Sequence, residues 1–325
     1  MIPELLFLDF GMIDSCNLSC DYCRDKLQVP KKEQFKKSFK GLKITLEHID
    51  PAVKKVSGYG ELTIFNNFSQ LLLPGSQLIT NGTFLTKENI KELSKIKDFS
   101  ICFSLDGHNM SLNSARFKST ETLDRVLRNL EISLNYNIPT EINSVLTRYN
   151  TKHFHLFLDY LDQFQNKPMV FPFPVRPFPG KRNDQFFPTK EDISVFEENT
   201  LKNYQLYSQL LPAKEYLKEM VSFLKQGKRL TRCYIPSVVI GIDPTGNVLL
   251  CPCGPDEKIG NIFETAQCLE NHPYTRTGHW EQCDSCFNHY EIINLYLTGK
   301  VNEEEIKRVP SLKSEKAVQL LRMKK

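Results

Sequence analysis

Short apolar segments alternate with amphipathic segments over roughly the first half of the chain. Six apolar segments have the length and the β-branched or aromatic content of strands: LLFLDFGMI, VKKVSG, SQLIT, FSICFSL, TEINSVL and PMVFPF. Between them lie segments in which apolar residues recur every three or four positions, as in amphipathic helices: TKENIKELSKI, TETLDRVLRNLEISL and TKHFHLFLDYLDQF. This alternation predicts repeated βαβ units and therefore a parallel sheet.

The pattern changes in the second half of the chain. A proline-rich stretch over residues 171–184 ends the alternation, and two helices are predicted after it, in TKEDISVFEENTLKNYQLYSQL and AKEYLKEMVSFLKQ. From Cys233 onward the chain has short β-like runs, a turn signal at DPTGN and grouped cysteines. We therefore predict two domains, residues 1–228 and residues 229–325, with a C-terminal helix in the second.

Composition and charge exclude several classes of protein. The chain has 325 residues, of which 40% are hydrophobic and 25% charged, and no run approaches the length of a membrane helix. The apolar N-terminus carries Glu4 and Asp9 and has no basic segment before it, unlike a secretory signal. The net charge of +4 is too small and too dispersed to indicate a nucleic-acid partner. We expect a cytoplasmic protein, in which ten cysteines are reduced and available for metal.

Three of the cysteines lie close together directly after the first predicted strand. Cys16, Cys20 and Cys23 stand in DSCNLSCDYC, on a loop that should lie at the carboxyl edge of the sheet, where functional loops of parallel sheets gather. Four thiolates close a metal site, whereas three leave a position open for a ligand. The alternative is a zinc site completed by a distant residue, although a zinc loop would use Cys20 and Cys23 and leave Cys16 unexplained.

The spacing C-x-x-x-C-x-x-C after a first strand, with the aromatic Tyr22 before the last cysteine, resembles the signature of radical S-adenosylmethionine enzymes. That resemblance implies a partial (β/α)6 TIM-like barrel with a small C-terminal auxiliary iron–sulfur domain. It also implies a 4Fe-4S cluster on the triad whose open iron binds S-adenosylmethionine. Cleavage of this cofactor would give a 5′-deoxyadenosyl radical that takes a hydrogen atom from the substrate.

Three further segments resemble cofactor-binding motifs of the same family. SGYGELTIF is similar to its glycine-rich GGEP motif, with Leu62 in place of proline, which implies that Gly58, Gly60 and Glu61 bind the methionine amino group beside Tyr22. ITNGTFLT resembles the segment after the third strand. FSLDGHN resembles the fourth-strand motif, which implies a ribose contact from Ser104 and a methionine carboxylate contact from Arg116. An isolated turn would explain each of these segments singly, but their order along successive strands favours the cofactor site.

The C-terminal cysteines resemble those of auxiliary-cluster domains called SPASM and, in the shorter form, twitch. The resemblance implies a second 4Fe-4S cluster held by Cys233, Cys251, Cys283 and Cys286, and the absence of further grouped cysteines favours the twitch form. Only one residue separates Cys251 from Cys253, so the resemblance leaves open which of these two is the ligand. A zinc ribbon on the same four cysteines is the alternative.

The family resemblance implies an oxidoreductase that needs an external electron donor such as flavodoxin or ferredoxin. Oxidative modification of a ribosomally made peptide is the reaction that we expect, with a leader-binding protein supplied separately. The alternatives are dehydrogenation of an aminocyclitol sugar, a peptide epimerase in which Cys253 returns a hydrogen atom, and a zinc-stapled binding module without catalysis. Arg176, at the end of the last predicted strand, is the candidate substrate contact, although its proline-rich surroundings also suit a rigid connector.

Overall fold

The computed structural model describes residues 4–23, 32–56, 59–175, 184–252, 258–270 and 286–325. Its centre is one sheet whose strands run in the order β6-β5-β4-β3-β2-β1-β7-β8-β9. The first six are Glu4–Phe10, Asp50–Val56, Ser76–Thr80, Ser100–Ser104, Thr140–Leu146 and Met169–Pro174, and neighbouring members pair in parallel. All six coincide with the apolar segments of the sequence, so the predicted partial barrel of six parallel strands is confirmed.

Helices connect the strands and cover one face of the sheet. In the first half they are α1 (Lys32–His48), α2 (Lys87–Leu93), α3 (Thr120–Asn135) and α4 (Phe154–Leu161). Thr86 caps α2 and Ser119 caps α3, each accepting a hydrogen bond from a backbone N–H in the first turn. Phe103 of β4 faces this helical layer, because a Cβ on Gly82 would meet both Phe103 and Val126 of α3.

The region after β6 is less regular than the sequence predicts. Helix α5 covers only Lys190–Phe196, and one turn of π-helix over Glu197–Leu201 and a 3₁₀ turn over Tyr204–Tyr207 follow, where a single long helix was predicted. The Thr189–Asp192 capping box starts α5. Asn199, Thr200 and Asn203 are weak helix formers, which accounts for the early end of α5. Helix α6 (Lys214–Gln226) ends at Gly227, whose φ is 72°.

The C-terminal region extends the same sheet. Strand β7 (Val239–Ile242) pairs in parallel with β1, and β8 (Asn247–Leu249) and β9 (Lys258–Asn261) add to it in antiparallel fashion. The helices of this region are α7 (Gln267–Glu270), α8 (Glu291–Leu297), α9 (Glu303–Arg308) and α10 (Glu315–Lys324). The boundary near residue 228 therefore precedes a strand that continues the parallel sheet, and strand direction reverses only between β7 and β8. Two separate domains stay a prediction.

Side chains from the C-terminal half fill the concave face of the sheet. Phe7 of β1 packs edge to face on Tyr290 with ring centroids 5.4 Å apart, and Phe171 of β6 packs on Tyr216 of α6 at 5.6 Å. Tyr216 in turn contacts Phe287 at 5.0 Å. Burying three aromatic contacts from distant segments joins the two halves into one core. No helix in these described ranges is long and apolar enough to cross a membrane.

Candidate functional site

The cysteine triad lies on the loop that follows β1, at the carboxyl edge of the parallel strands. Cys16 and Cys20 are half-buried, and Cys23 is exposed. The backbone N–H of Cys23 donates to the carbonyl of Cys20 at 3.0 Å, so these two thiols stand on one tight turn. Cys16 Sγ accepts hydrogen bonds from Leu18 N at 3.5 Å and from Asn81 Nδ2 at 3.9 Å. Sulfur–donor contacts of this kind orient a thiolate ligand before metal binds.

The donor set of this loop consists of three thiols that do not converge on one point. Within the described residues, no three His, Cys, Asp or Glu side chains converge closely enough to hold one metal ion. A zinc ion needs its thiolates on one small tetrahedron, whereas each thiolate of a cubane cluster binds a different iron. Burial raises the pKa of Cys20 to about 11, although the charge of Arg116 opposes that shift, so binding of iron must displace a proton from this thiol.

The GxGE loop after β2 is pressed against the triad loop. Glu61 N donates to the Ser15 carbonyl at 2.8 Å, and a Cβ on Gly60 would lie 2.3 Å from the same oxygen. Only glycine permits so close an approach of two backbones. The predicted Gly60 and Glu61 are therefore brought to the triad, and Gly58 lies outside the described residues.

Glu61 joins the loops after β2 and β3 through its carboxylate. One oxygen accepts from Thr63 N at 3.1 Å, Thr63 Oγ1 at 2.6 Å and Thr80 Oγ1 at 2.8 Å, and the other accepts from Asn81 N at 2.6 Å. Burial raises the pKa of this carboxyl group, and the four hydrogen bonds oppose that rise. Glu61 thus fixes the loops after β2 and β3 against the triad loop, and its contact with a methionine amino group stays a prediction.

We expect Glu61→Gln to lower the free energy of unfolding by about 2–3 kcal/mol, because it places an amide NH₂ against donors that need an acceptor. Thr80→Val, which removes one of the four donors, should cost about 1 kcal/mol. Urea unfolding of the anaerobically purified chain measures both changes. An unchanged midpoint for Glu61→Gln would contradict the bonding arrangement.

Asn81 and Asn17 connect the third-strand loop to the triad, and neither is among the site residues predicted from the sequence. Asn81 Nδ2 donates to Asn17 Oδ1 at 2.9 Å, and Asn17 Nδ2 donates to Thr83 Oγ1 at 2.8 Å. Asn17 directly follows Cys16 within the triad spacing. The position of an amide inside the cysteine motif, opposite the TNG segment, is the signal that could have identified this pair.

Arg116 has a protein carboxylate as its partner. Its Nε and Nη2 atoms donate to the two oxygens of Asp106 at 3.0 and 3.2 Å, and the guanidinium lies 5.5 Å from the centre of the Tyr22 ring. The Tyr22 hydroxyl also donates to Asp106. The sequence interpretation supplied Arg116 with a ligand carboxylate and gave Asp106 no role at the site, so it missed this network. Contacts of Tyr22 and Arg116 with a cofactor stay predictions.

Ser104 ends β4 on the concave face of the sheet, together with Asn143 of β5, its partner in register. Ser104 is half-buried, whereas Asn143 is 9% exposed and its side-chain oxygen accepts no hydrogen bond from the part of the chain that the structure describes. A buried acceptor without a donor is costly unless a ligand or water supplies one. Asn143 therefore adds a polar group on this face that the sequence interpretation did not include, while Arg176 lies outside the described residues.

A buried ion pair connects the segments that contain two of the four C-terminal cysteines, Cys233 and Cys286. Arg229 Nε donates to the carbonyl of Thr231, two residues before Cys233, at 2.8 Å, and its Nη1 lies 3.5 Å from the carbonyl of Cys286 and 3.4 Å from Glu291. The Arg229 and Glu291 side chains are only 2% and 1% exposed. Burial raises the pKa of Glu291 to about 7 against the attraction of Arg229.

The network continues to the residue after Cys233. Asn294 Nδ2 donates to Glu291 at 2.8 Å, and Asn294 Oδ1 accepts from Tyr234 N at 2.8 Å. These contacts hold the backbone around Cys233 and Cys286 together, as a shared metal site requires. Cys233 is buried and Cys251 half-buried, whereas Cys253 and Cys283 lie outside the described residues. The four-cysteine ligand set stays a prediction.

Comparisons with known proteins identify proteins that are similar to this chain. No family model matches the chain. An uncharacterized protein of Methanocaldococcus jannaschii is 26% identical over 286 residues, which cover 83% of this chain and 90% of the relative. A GTP 3′,8-cyclase of Clostridium perfringens is 26% identical over 156 residues, which cover 44% of this chain and 47% of the cyclase.

Two solved structures share most of the fold. The structure of anSMEcpe with bound S-adenosylmethionine is 15% identical, has a TM-score of 0.61, and covers 95% of this chain and 98% of its own. The structure of Streptococcus suis SuiB is 16% identical, has a TM-score of 0.58, and covers 84% of this chain and 67% of its own. Both are radical S-adenosylmethionine enzymes, so the resemblance drawn from the sequence is confirmed for the fold. A twitch domain stays a prediction.

Proposed function

We propose that the chain is a radical S-adenosylmethionine enzyme that oxidatively modifies a ribosomally made peptide. The observation that carries the proposal is the assembly of the cysteine loop, the GxGE loop and the TNG loop around Glu61 at one edge of the parallel strands. Three thiols fit a cluster with one open iron, and the surrounding residues fit a polar ligand beside it. When bound, the cluster and S-adenosylmethionine supply a 5′-deoxyadenosyl radical for hydrogen abstraction.

The residues of the chain contribute binding and orientation. Cys16, Cys20 and Cys23 would hold the cluster, and the glycine-rich loop would let backbone atoms approach the methionine end of the cofactor. Arg116 would donate to the methionine carboxylate, and Ser104 to the ribose. The aromatic residues of the concave face exclude water from the space where a radical forms.

A peptide substrate is supported by the two fold relatives. The anSMEcpe structure has also been determined with a bound peptide, and that of SuiB with its precursor peptide SuiA. An external donor such as flavodoxin or ferredoxin would reduce the triad cluster. Cys233, Cys251, Cys283 and Cys286 would hold the proposed second cluster, which would supply an electron acceptor and so make the net change of the substrate an oxidation.

The class of the protein is tested by anaerobic reconstitution with iron and sulfide. We expect roughly eight irons per chain if both clusters are cubanes, and formation of 5′-deoxyadenosine after reduction in the presence of S-adenosylmethionine. Zinc in place of iron, or no cleavage of the cofactor, would contradict the proposal. Either result would favour a binding module that is stabilised by a metal ion and has no catalytic activity.

The type of reaction is tested on short peptides encoded beside the gene for this chain, incubated in heavy water. An oxidation removes two hydrogen atoms from the peptide substrate, and Cys253→Ala should retain that activity. A product of unchanged elemental composition that carries one solvent deuterium, lost in Cys253→Ala, would instead indicate epimerisation. Intact-mass spectrometry distinguishes the two outcomes. Dehydrogenation of an added aminocyclitol with all peptides unchanged would contradict the peptide assignment.

A further inference from the structure

Asp106 receives hydrogen bonds from three separate segments of the chain. One oxygen accepts from Arg116 Nη2 at 3.2 Å and from Val145 N, in β5, at 2.9 Å. The other accepts from Arg116 Nε at 3.0 Å and from the hydroxyl of Tyr22. Asp106 is 2% exposed, and both oxygens are satisfied by the protein. A carboxylate with four donors and no access to solvent holds its partners in one geometry.

Tyr22 connects this carboxylate to the cysteine loop. It stands between Cys20 and Cys23, is 7% exposed, and packs edge to face on Phe186 with ring centroids 6.5 Å apart. Its neighbour Asp21 donates its backbone N–H to the Ala115 carbonyl at 2.8 Å. The segment bearing two of the three cluster thiols is thus attached to the segment that bears Arg116, and Asp106 is the charged point of attachment.

The geometry of the ion pair fixes which part of Arg116 is available to a ligand. Asp106 occupies the Nε–Nη2 edge of the guanidinium, and Nη1 has no hydrogen-bond acceptor among the described residues. The Arg116 side chain is 8% exposed, so this remaining edge is the part that a ligand can reach. Because a guanidinium is a rigid planar fork, fixing one edge fixes the direction of the other.

We propose that Asp106 is a positioning residue that couples Arg116 to the cluster loop, so that the Nη1 edge of Arg116 and the open position of the cluster face one S-adenosylmethionine molecule at a fixed separation. This inference rests on the proposed function and adds to it a residue that the family resemblance does not assign here. Asp106 neutralises the charge of Arg116 and holds its guanidinium in one orientation. The cofactor carboxylate is then recognised by the direction in which the Nη1 edge of Arg116 points. Loss of Asp106 frees Arg116 to rotate and releases Tyr22, and both changes separate the two contacts of the cofactor.

The test uses the full chain, reconstituted anaerobically, as wild type, Asp106→Asn and Tyr22→Phe. Electron paramagnetic resonance of the reduced triad cluster is recorded while S-adenosylmethionine is added, and iron content is measured in parallel. We expect Asp106→Asn to keep its iron but to need about ten- to hundred-fold more cofactor for the same spectral change, in the range of other outer-sphere substitutions. Tyr22→Phe, which keeps the ion pair, should show a smaller shift in the same direction, and the double variant less than the sum of both.

Glu141→Gln is the control, because it alters a second buried carboxylate whose hydrogen bonds, from Gln77 Nε2 at 2.9 Å and Ser311 N at 2.7 Å, lie outside both groups of cysteines. It should lose stability without changing the cofactor titration. An equal shift in this control, or wild-type titrations in both Asp106→Asn and Tyr22→Phe, would overturn the inference. If Asp106→Asn fails to fold, Tyr22→Phe decides alone. A wild-type cluster whose spectrum does not respond to the cofactor would instead overturn the proposed function and this inference with it.

Discussion

Replacing Cys16, Cys20 and Cys23 together with alanine is expected to abolish formation of 5′-deoxyadenosine. These three residues are the proposed ligands of the only cluster with an open iron, and an incomplete thiolate set cannot bind the cofactor through metal. About four irons per chain should remain, on the C-terminal cysteines, against roughly eight in the intact chain. Chromatographic measurement of 5′-deoxyadenosine and iron analysis of the same sample give both values.

The control for this experiment is Cys268→Ala, because Cys268 is a buried thiol outside the grouped cysteines. It should keep its full iron content and its cofactor cleavage. Undiminished cleavage in the triple variant would refute the assignment of the triad. A loss of all iron in the triple variant would show that the C-terminal cysteines hold no cluster independently.

Replacing Cys233 with alanine is expected to remove the second cluster and to stop product formation while cofactor cleavage continues. Cys233 is buried next to the segment of Cys286, and Arg229 and Asn294 hold the two segments together. Losing one of four thiolates from a closed site removes metal and the folding free energy that metal contributes. Iron analysis should show a fall of about four per chain, and thermal unfolding should occur at lower temperature.

Cys251→Ala and Cys253→Ala form a matched pair for the same site. If Cys251 is the ligand, Cys251→Ala should lose the second cluster and Cys253→Ala should retain it. The reverse result would make Cys253 the ligand. Zinc bound to the wild-type site would contradict the auxiliary-cluster assignment altogether and favour a zinc ribbon.

The sequence was sufficient to predict the six parallel strands, because a buried parallel strand is a nearly continuous apolar run that local composition reveals. It was also sufficient to place Glu61 and Arg116 at the carboxyl edge. It was not sufficient to predict which residues these two side chains contact. Asp106 looks like a turn residue in LDG, and only the path of the loop after β4 shows that it faces Arg116, ten residues further along the chain. Hydrogen bonds between residues far apart in the chain leave no local pattern.

The irregular segment after α5 has a different explanation. Phe196 and Leu201 are five residues apart, whereas side chains on one face of an α-helix recur every three or four positions, and the chain forms a π turn between them. Both are buried, so the wider turn brings both side chains into the core. The contact of Arg229 with the segments of Cys233 and Cys286 could likewise not be predicted from local sequence patterns, since 57 residues separate Arg229 from Cys286.

The pairing of β7 with β1 has a consequence for how the chain can be divided. Strand β1 leads into the cysteine triad, and β7 covers one of its two hydrogen-bonding edges from Phe7 to Phe10. A fragment truncated at residue 228 would leave that edge bare, along a strand that is apolar except for Glu4 and Asp9. Such an edge recruits strands from other molecules, so the fragment would associate with itself instead of presenting an isolated catalytic half. The C-terminal region therefore protects the first strand from aggregation, whatever metal it holds.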